Sequence, residues 1–283
     1  MLPARSRYNT TMMRIIAPEN IAAARRQSAA PSIAIEVVAK TGSTNADLMQ
    51  RIGTLPLPTL RVALTQTAGR GRNGRVWHSE PDASLTFSLA WRFSRAAHEL
   101  SGLPLAVGVA IAQALCQFGV LVRLKWPNDV LKSGKKLAGV LIEMPAATND
   151  KDGTWAVIGI GLNLNMPDRL ESRIDQPAAA APWLAQMDRN LLMGALLDEL
   201  SNAMTLFDSA GFAPFMQPWN DLHAHAGQEI TIIDLGRGLH NGVAVGIDQT
   251  GRLLLDCVAG RTAISAGDVT LRAISGHEYA VAD

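Results

Sequence analysis

The residues best suited to chemistry are concentrated at positions 69 to 75, which read Gly-Arg-Gly-Arg-Asn-Gly-Arg. The glycines let the backbone take positive φ and approach a ligand without an intervening Cβ. Arg70, Arg72 and Arg75 put guanidinium forks, shaped for carboxylate or phosphate, on one short loop. A solvated, charged surface loop is the commoner fate of such a run. The run alone does not decide between that and an anion cradle.

Other polar groups recur at the ends of apolar runs. Ser43-Thr44-Asn45 lies between the β-branched run Ser32 to Lys40 and a helical stretch at Ala46 to Met49. Taken alone, the triplet reads best as N-cap material; the functional alternative aims these short side chains at a polar ligand. Gln66 ends a second predicted strand, Thr59 to Thr65. Lys125-Trp126-Pro127-Asn128-Asp129 closes a third run, Leu121 to Trp126, and Lys136-Leu137-Ala138-Gly139 opens a fourth. In isolation Lys136 is a solvated lysine beside a turn.

The elements that must hold these residues are legible. Ser84 to Trp91 alternates as a half-buried strand, so the Gly/Arg loop hangs between two strands. Thr154 to Leu164 is nearly continuous apolar sequence and predicts a central strand, with Gly159 and Gly161 allowing close approach to one face. Ser101 is placed to cap a helix reaching Cys116, which reads as packing rather than nucleophile. Asp188 opens a second helix with Leu192, Leu196, Leu200, Met204 and Phe207 in one row, stopped by Gly211. Beyond Gly227 the chain turns to short β runs divided by glycines, a small all-β barrel or sandwich.

Composition limits the function classes. The net charge of +1 over 283 residues provides no general polyanion-binding surface, which weighs against a coat for nucleic acid or membrane. Two distant cysteines suggest neither a disulfide framework nor a metal cluster, so a reducing compartment, the cytoplasm, is expected. No apolar run is long enough to span a bilayer. There is no Walker loop, and a strand rather than a helix follows the Gly/Arg run, so it is not the dinucleotide fingerprint. His223 and His225 are a weak metal signal, and no Ser-His-Asp or Cys-His arrangement can be named.

Taken in order, Ser43-Thr44-Asn45, Gln66, the Gly69 to Arg75 loop with Trp77, Lys125 to Asp129, Lys136 to Gly139 and Gly159-Ile160-Gly161-Leu162-Asn163 resemble the biotin protein ligases. The resemblance runs from about Ser32 to the C-terminus. It implies an α+β fold: a mixed-sheet catalytic domain of the biotin/lipoate ligase type, with a small SH3-like β-barrel module. The boundaries expected are an N-terminal extension at 1–31, the catalytic domain at 32–226 and the β module at 227–283.

The implied activity has two steps, with ATP and Mg²⁺ as cofactors and biotin as substrate. Biotin's carboxylate is activated as biotinyl-5′-AMP, then transferred to a lysine of a biotin carboxyl carrier domain, that of acetyl-CoA carboxylase or another biotin-dependent carboxylase. Carried over residue by residue, Ser43, Thr44, Asn45 and Gln66 face the ureido group, with Arg70, Gly71 and Arg72 closing over the ligand. Lys136 and Arg72 are the catalytic candidates, near the biotin carboxyl and reacting phosphate. Arg72, Arg75, Lys125, Asn128, Asn163 and Arg272 are assigned to the nucleotide, and Asp129 to the metal.

Two departures from the family stand out. Too little sequence precedes Ser43 for the winged helix-turn-helix of the regulatory members, so a monofunctional ligase that binds neither DNA nor membrane is expected. Asn73 stands where the family is commonly basic, removing one charge from the loop. A homodimer is left open. The rivals are a lipoate or octanoate ligase or transferase, for which a ureido pocket has little use, and a non-catalytic biotin sensor, which does not need Lys136. The loop is expected to act as a lid, ordering over biotin and its adenylate.

Overall fold

A computed structural model describes residues 16–26, 31–80, 82–145, 153–165, 178–234, 237–265 and 269–273. Most of the proposed N-terminal extension therefore lies outside the described residues. Within the extension, Pro18–Ala24 forms a short helix, α1, with proline in its first turn.

The main sheet is organised around a strand–helix–strand unit. Ala34–Thr41 (β1) leads through Thr44–Arg51 (α2) to Thr59–Gln66 (β2), which pairs parallel to β1 with Thr41 opposite Gln66. Backbone bonds continue past the strand ends, from Thr67 N–H to Thr41 O and from Ala68 N–H to Gly42 O. These bonds set residues 43–45 beside Gln66, although more than twenty residues separate them in sequence.

Ser84–Phe93 (β3), Arg123–Lys125 (β4), Asp129–Lys132 (β5), Lys135–Glu143 (β6) and Thr154–Asn163 (β7) complete a seven-stranded sheet in the order β1-β2-β3-β7-β6-β5-β4. All pairs beyond β1–β2 are antiparallel, and β7 is central as its composition predicts. β4 is shorter than the run suggested. The larger correction is β3. Its alternation predicts one wet face, yet Ser84, Thr86 and Ser88 are buried. The polar face is covered by α2, and its hydroxyls are used internally: Thr86 donates to Ala63 O, and Ser88 joins Thr44 and Asn45.

The apolar side is covered by Leu103–Cys116 (α3) and Arg189–Ala210 (α4), which pack on each other. Asp188 caps α4 by accepting from Asn190 N–H, its apolar row is buried, and Gly211 ends it with φ 69°. Gly102, not Ser101, is the N-cap of α3; Ser101 Oγ instead donates to Thr250 O. Cys116 lies at the helix end and is exposed, so it is not a packing residue. Ala213–Asp221 (α5) contains Pro214 and Pro218, which hid it from pattern reading, and buries Phe215 and Trp219. His223 follows it, its ring centre 4.7 Å from that of Trp219 and tilted by 38°. Burial, helped by His225, pushes its pKa down to about 4, so it is a neutral packing residue at pH 7.

The C-terminal module comprises Glu229–Asp234 (β8), Arg237–Ile247 (β9), Leu253–Cys257 (β10), Gly260–Ile264 (β11) and Val269–Ala273 (β12). They form an antiparallel sheet ordered β11-β10-β9-β8-β12, and among the described residues no ladder joins its two outer strands. Trp126, fully buried, donates Nε1–H to Gly251 O across 3.0 Å and ties this module to the main sheet. One apolar core runs through both.

Candidate active site

The parallel β1–β2 pair delivers the first polar cluster. Ser43 does cap α2, its Oγ accepting from Ala46 N–H at 3.4 Å, a long bond. Thr44 and Asn45, in the first turn, are buried and turn inward. Gln66 Oε1 accepts from Thr44 N–H at 2.7 Å and from its hydroxyl at 3.1 Å. Thr44 Oγ1 lies 2.6 Å from Ser88 Oγ, which in turn donates to Asn45 Oδ1. Asn45 Nδ2 donates to Leu141 O at 3.3 Å and to Glu143 Oε2 at 2.9 Å. Capping and a ligand-facing role therefore coexist: Ser43 serves the helix while its neighbours build a polar web.

Glycines make room for that web. A Cβ on Gly159, which pairs with Ser88 across β3–β7, would overlap the Asn45 side chain. A Cβ on Gly161 would overlap the Trp77 indole. We expect Gly159→Ala to raise the KM for biotin by about tenfold, because buried polar groups left unpaired cost roughly 1–3 kcal/mol. Steady-state kinetics at varied biotin check this, and an unchanged KM would show that Asn45 is not part of the pocket.

The Gly/Arg loop is a hairpin. Trp77 N–H bonds to Gly69 O, Arg70 bridges Val76, and Gly71 N–H bonds to Arg75 O at 2.7 Å. Arg75 N–H returns to Arg72 O at 3.1 Å across Asn73 (φ 56°, ψ 36°) and Gly74 (φ 72°). Asn-Gly with both φ positive has the character of a type I′ turn, the favoured two-residue hairpin connection. Asparagine tolerates this left-handed conformation better than arginine or alanine, which pay about 1 kcal/mol or more for it. Asn73→Ala should therefore speed hydrogen exchange at the Gly71 and Arg75 amides about fivefold; unaltered exchange would remove Asn73 as the turn's determinant. The same amides followed with and without biotin separate a lid from a preformed cradle, since protection in both states excludes the lid.

The cationic end faces this hairpin. Arg72 Nη1 reaches Asn128 Oδ1 at 3.4 Å, and Asn128 Nδ2 is fixed on Val140 O at 2.7 Å. Lys136 Nζ lies 2.6 Å from Asp129 Oδ1, an ion pair whose alignment falls short of a hydrogen bond, and 5.9 Å from the Trp77 ring centre. Gly139 lets the lysine fold back over its own strand, since a Cβ there would stand 2.9 Å from Lys136 Cε. Asn163 is buried, its Nδ2 3.4 Å from Lys136 O. Among the described residues the Trp77 indole N–H, packed over Gly161, is buried without a hydrogen-bond partner.

Apart from Ser88 and Glu143, these side chains line one cavity of about 460 Å³, within the range of small-molecule sites. Of the residues expected from sequence, Ser43, Thr44, Asn45, Gln66, Arg70, Gly71, Arg72, Arg75, Lys125, Asn128, Asp129, Lys136 and Asn163 all line it. The Arg272 backbone pairs with Thr231 in the second sheet, and its side chain lies outside the described residues. Sequence reading missed Ser88 and Glu143. For Ser88 the available signal was a serine on the same strand face as Thr86; for Glu143 it was a carboxylate at a strand end.

Comparison with known proteins places this geometry. Residues 35–163 match the biotin/lipoate A/B protein ligase family, and residues 225–272 match the biotin protein ligase C-terminal domain. The bifunctional ligase/repressor BirA of Escherichia coli K12 is 35% identical over 229 residues, covering 78% of this chain and 69% of that protein. The chain belongs to the biotin protein ligase family. The biotin–[acetyl-CoA-carboxylase] ligase of Mycobacterium tuberculosis is also 35% identical, covering 83% of this chain and 88% of its own length. Among solved structures, the Aquifex aeolicus biotin protein ligase in complex with biotin and ATP superposes with a TM-score of 0.71 at 27% identity, covering 85% of this chain and 99% of that one.

Proposed function

We propose that this biotin protein ligase family member is an ATP-dependent enzyme that makes biotinyl-5′-AMP and transfers biotin to a lysine of a carrier domain. The observation that carries the reading is one cavity with two chemically distinct ends. At one end Ser43, Thr44, Asn45 and Gln66 present neutral donors and acceptors, suited to a ureido group. At the other, Arg72, Arg75, Lys125 and Lys136 supply cations, suited to a carboxylate meeting a triphosphate.

In the first step a biotin carboxylate oxygen bonds to the α-phosphorus and the bond to the bridging oxygen of pyrophosphate breaks. Lys136 and Arg72 stabilise the charge gathering on the phosphoryl oxygens, and Arg75 and Lys125 hold the nucleotide phosphates. Asn128 and Asn163 bind the nucleotide, and Arg272 is assigned there by resemblance. Asp129 is the carboxylate available to a magnesium ion that arrives with the nucleotide, which usually needs one or two carboxylates beside the phosphates. Bound Mg²⁺ supplies neutralisation of the triphosphate charge. In the second step a carrier lysine amine attacks the anhydride carbonyl carbon, the C–N bond forms, AMP leaves and the amine loses a proton. The hairpin holds the adenylate away from water until then.

The domain boundaries at 32–226 and 227–283 belong to this proposal, as does a cytoplasmic setting. Among the described residues no helix is long and apolar enough to cross a membrane, and the two cysteines are unpaired. With a net charge of +1, operator binding is not part of the proposed role. The test is transfer: a biotin carboxyl carrier domain incubated with the protein, ATP, Mg²⁺ and biotin should become detectable with streptavidin. A carrier with its acceptor lysine changed to arginine should not. An unlabelled wild-type carrier would overturn the assignment.

A further inference from the structure

The polar web continues beyond the groups that would touch biotin and ends on a carboxylate. Glu143 is the last residue of β6, opposite Val157 of β7. Its Oε2 accepts from two directions, from Asn45 Nδ2 at 2.9 Å and from Arg70 Nη2 at 2.9 Å. Asn45 belongs to the buried end of the pocket and Arg70 to the first arm of the Gly/Arg hairpin, so this side chain joins the floor to the cover.

We infer that Glu143 is a positioning residue for biotin recognition, fixing the orientation of the Asn45 amide and fastening the hairpin to the pocket through Arg70. The inference rests on the biotin ligase reading. An asparagine amide has one acceptor end and one donor end, similar in shape and opposite in meaning. Glu143 Oε2 and Leu141 O both accept from Nδ2 and neither can donate, so the amide has one sense only, with Oδ1 left to accept from Ser88. Turned over, it would set Oδ1 against two acceptors, the Glu143 carboxylate and the Leu141 carbonyl. The Asn45 oxygen is thereby held as an acceptor at the end of the cavity where an N–H-bearing ureido ring is to be read.

The second bond makes the same carboxylate an anchor. The Arg70 and Glu143 side chains are 47% and 26% exposed, so as an isolated ion pair they would contribute little to stability. Their value is geometric. The pair crosses 73 positions of sequence and pins the first arm of the hairpin, while Arg72 at its turn reaches Asn128. Glutamine at 143 keeps an acceptor oxygen, but loses the charge and turns an amide donor toward Asn45 or Arg70 in one of its two orientations.

The experiment measures KM for biotin, KM for ATP and thermal midpoint in wild type, Glu143→Ala, Glu143→Gln, Arg70→Ala and the Arg70→Ala/Glu143→Ala double variant. Glu143→Ala should raise the biotin KM about tenfold while the ATP KM stays within about twofold, with Glu143→Gln intermediate. The double variant should be no worse than Glu143→Ala alone, because one carboxylate mediates both effects. Should Glu143→Ala fail to fold, Glu143→Gln and Arg70→Ala carry the same comparison. Unchanged biotin KM, equal rises for both substrates, or additive effects of the two substitutions would each overturn the assignment. Wild-type protein that forms no biotinyl-adenylate would instead overturn the ligase reading on which it rests.

Discussion

Lys136→Ala should reduce the rate of adenylate formation by about tenfold or more, read as pyrophosphate release at saturating biotin and ATP. Charge-assisted hydrogen bonds contribute roughly 1.5–3 kcal/mol, and each 1.36 kcal/mol is about tenfold in rate. Lys136 is well placed to supply that bond. It lines the cavity, and its Nζ is held between the Asp129 carboxylate at 2.6 Å and the face of Trp77. Gly139 gives it room to lie over its own strand. Truncation also leaves the Asp129 carboxylate, 13% exposed, without its cation, so some loss of stability accompanies the loss of rate. Asp129→Asn combined with Lys136→Ala identifies the source of the stability loss: the thermal midpoint should recover, while the rate, which also needs Asp129, is read in Lys136→Ala alone. Pyrophosphate release at the wild-type rate in Lys136→Ala would remove the lysine from the chemistry.

The second large effect is expected in retention of the intermediate. Arg72→Ala should speed loss of bound biotinyl-5′-AMP about tenfold or more and leave the thermal midpoint nearly unchanged. Arg72 begins the hairpin turn and reaches across the cavity to Asn128 Oδ1, a long bond of 3.4 Å that a phosphate oxygen would readily outcompete. Its side chain is half-buried and lines the cavity, so the larger cost should fall on the ligand rather than the fold. Because the contact is ionic, the difference between wild type and variant should shrink as salt rises. An unaltered off-rate would remove Arg72 from the cradle and leave the cationic end to Arg75, Lys125 and Lys136.

Much of this site was readable because its parts sit at strand ends with recognisable chemistry. Ser43-Thr44-Asn45, Gln66, the Gly/Arg run and Lys136 all line one cavity, as the resemblance implied. The omissions have physical causes. Ser88 lies in an alternating strand, and alternation does not say what covers the polar face; α2 covers it, a tertiary fact. Glu143 looks like an ordinary charge at a strand end until the chain brings Arg70 and Asn45 to it from 73 and 98 positions away. Asn73 is a different lesson. Set against a family pattern, it reads as a missing charge, while its conformation makes it a turn residue. The Asn-Gly pair was a local signal in plain view. The helix at Ala213–Asp221 was hidden by two prolines, one at its start, where a missing N–H costs nothing, and one inside it.

The most direct test of the whole account is the identity of the acyl-adenylate. Protein incubated with ATP and Mg²⁺, in the presence of either biotin or lipoate, is examined by mass spectrometry of the released small molecules. Biotinyl-5′-AMP and pyrophosphate are expected with biotin, and no adenylate with lipoate. A lipoyl-adenylate in place of the biotinyl one, or no adenylate from either acid, would contradict the biotin ligase reading.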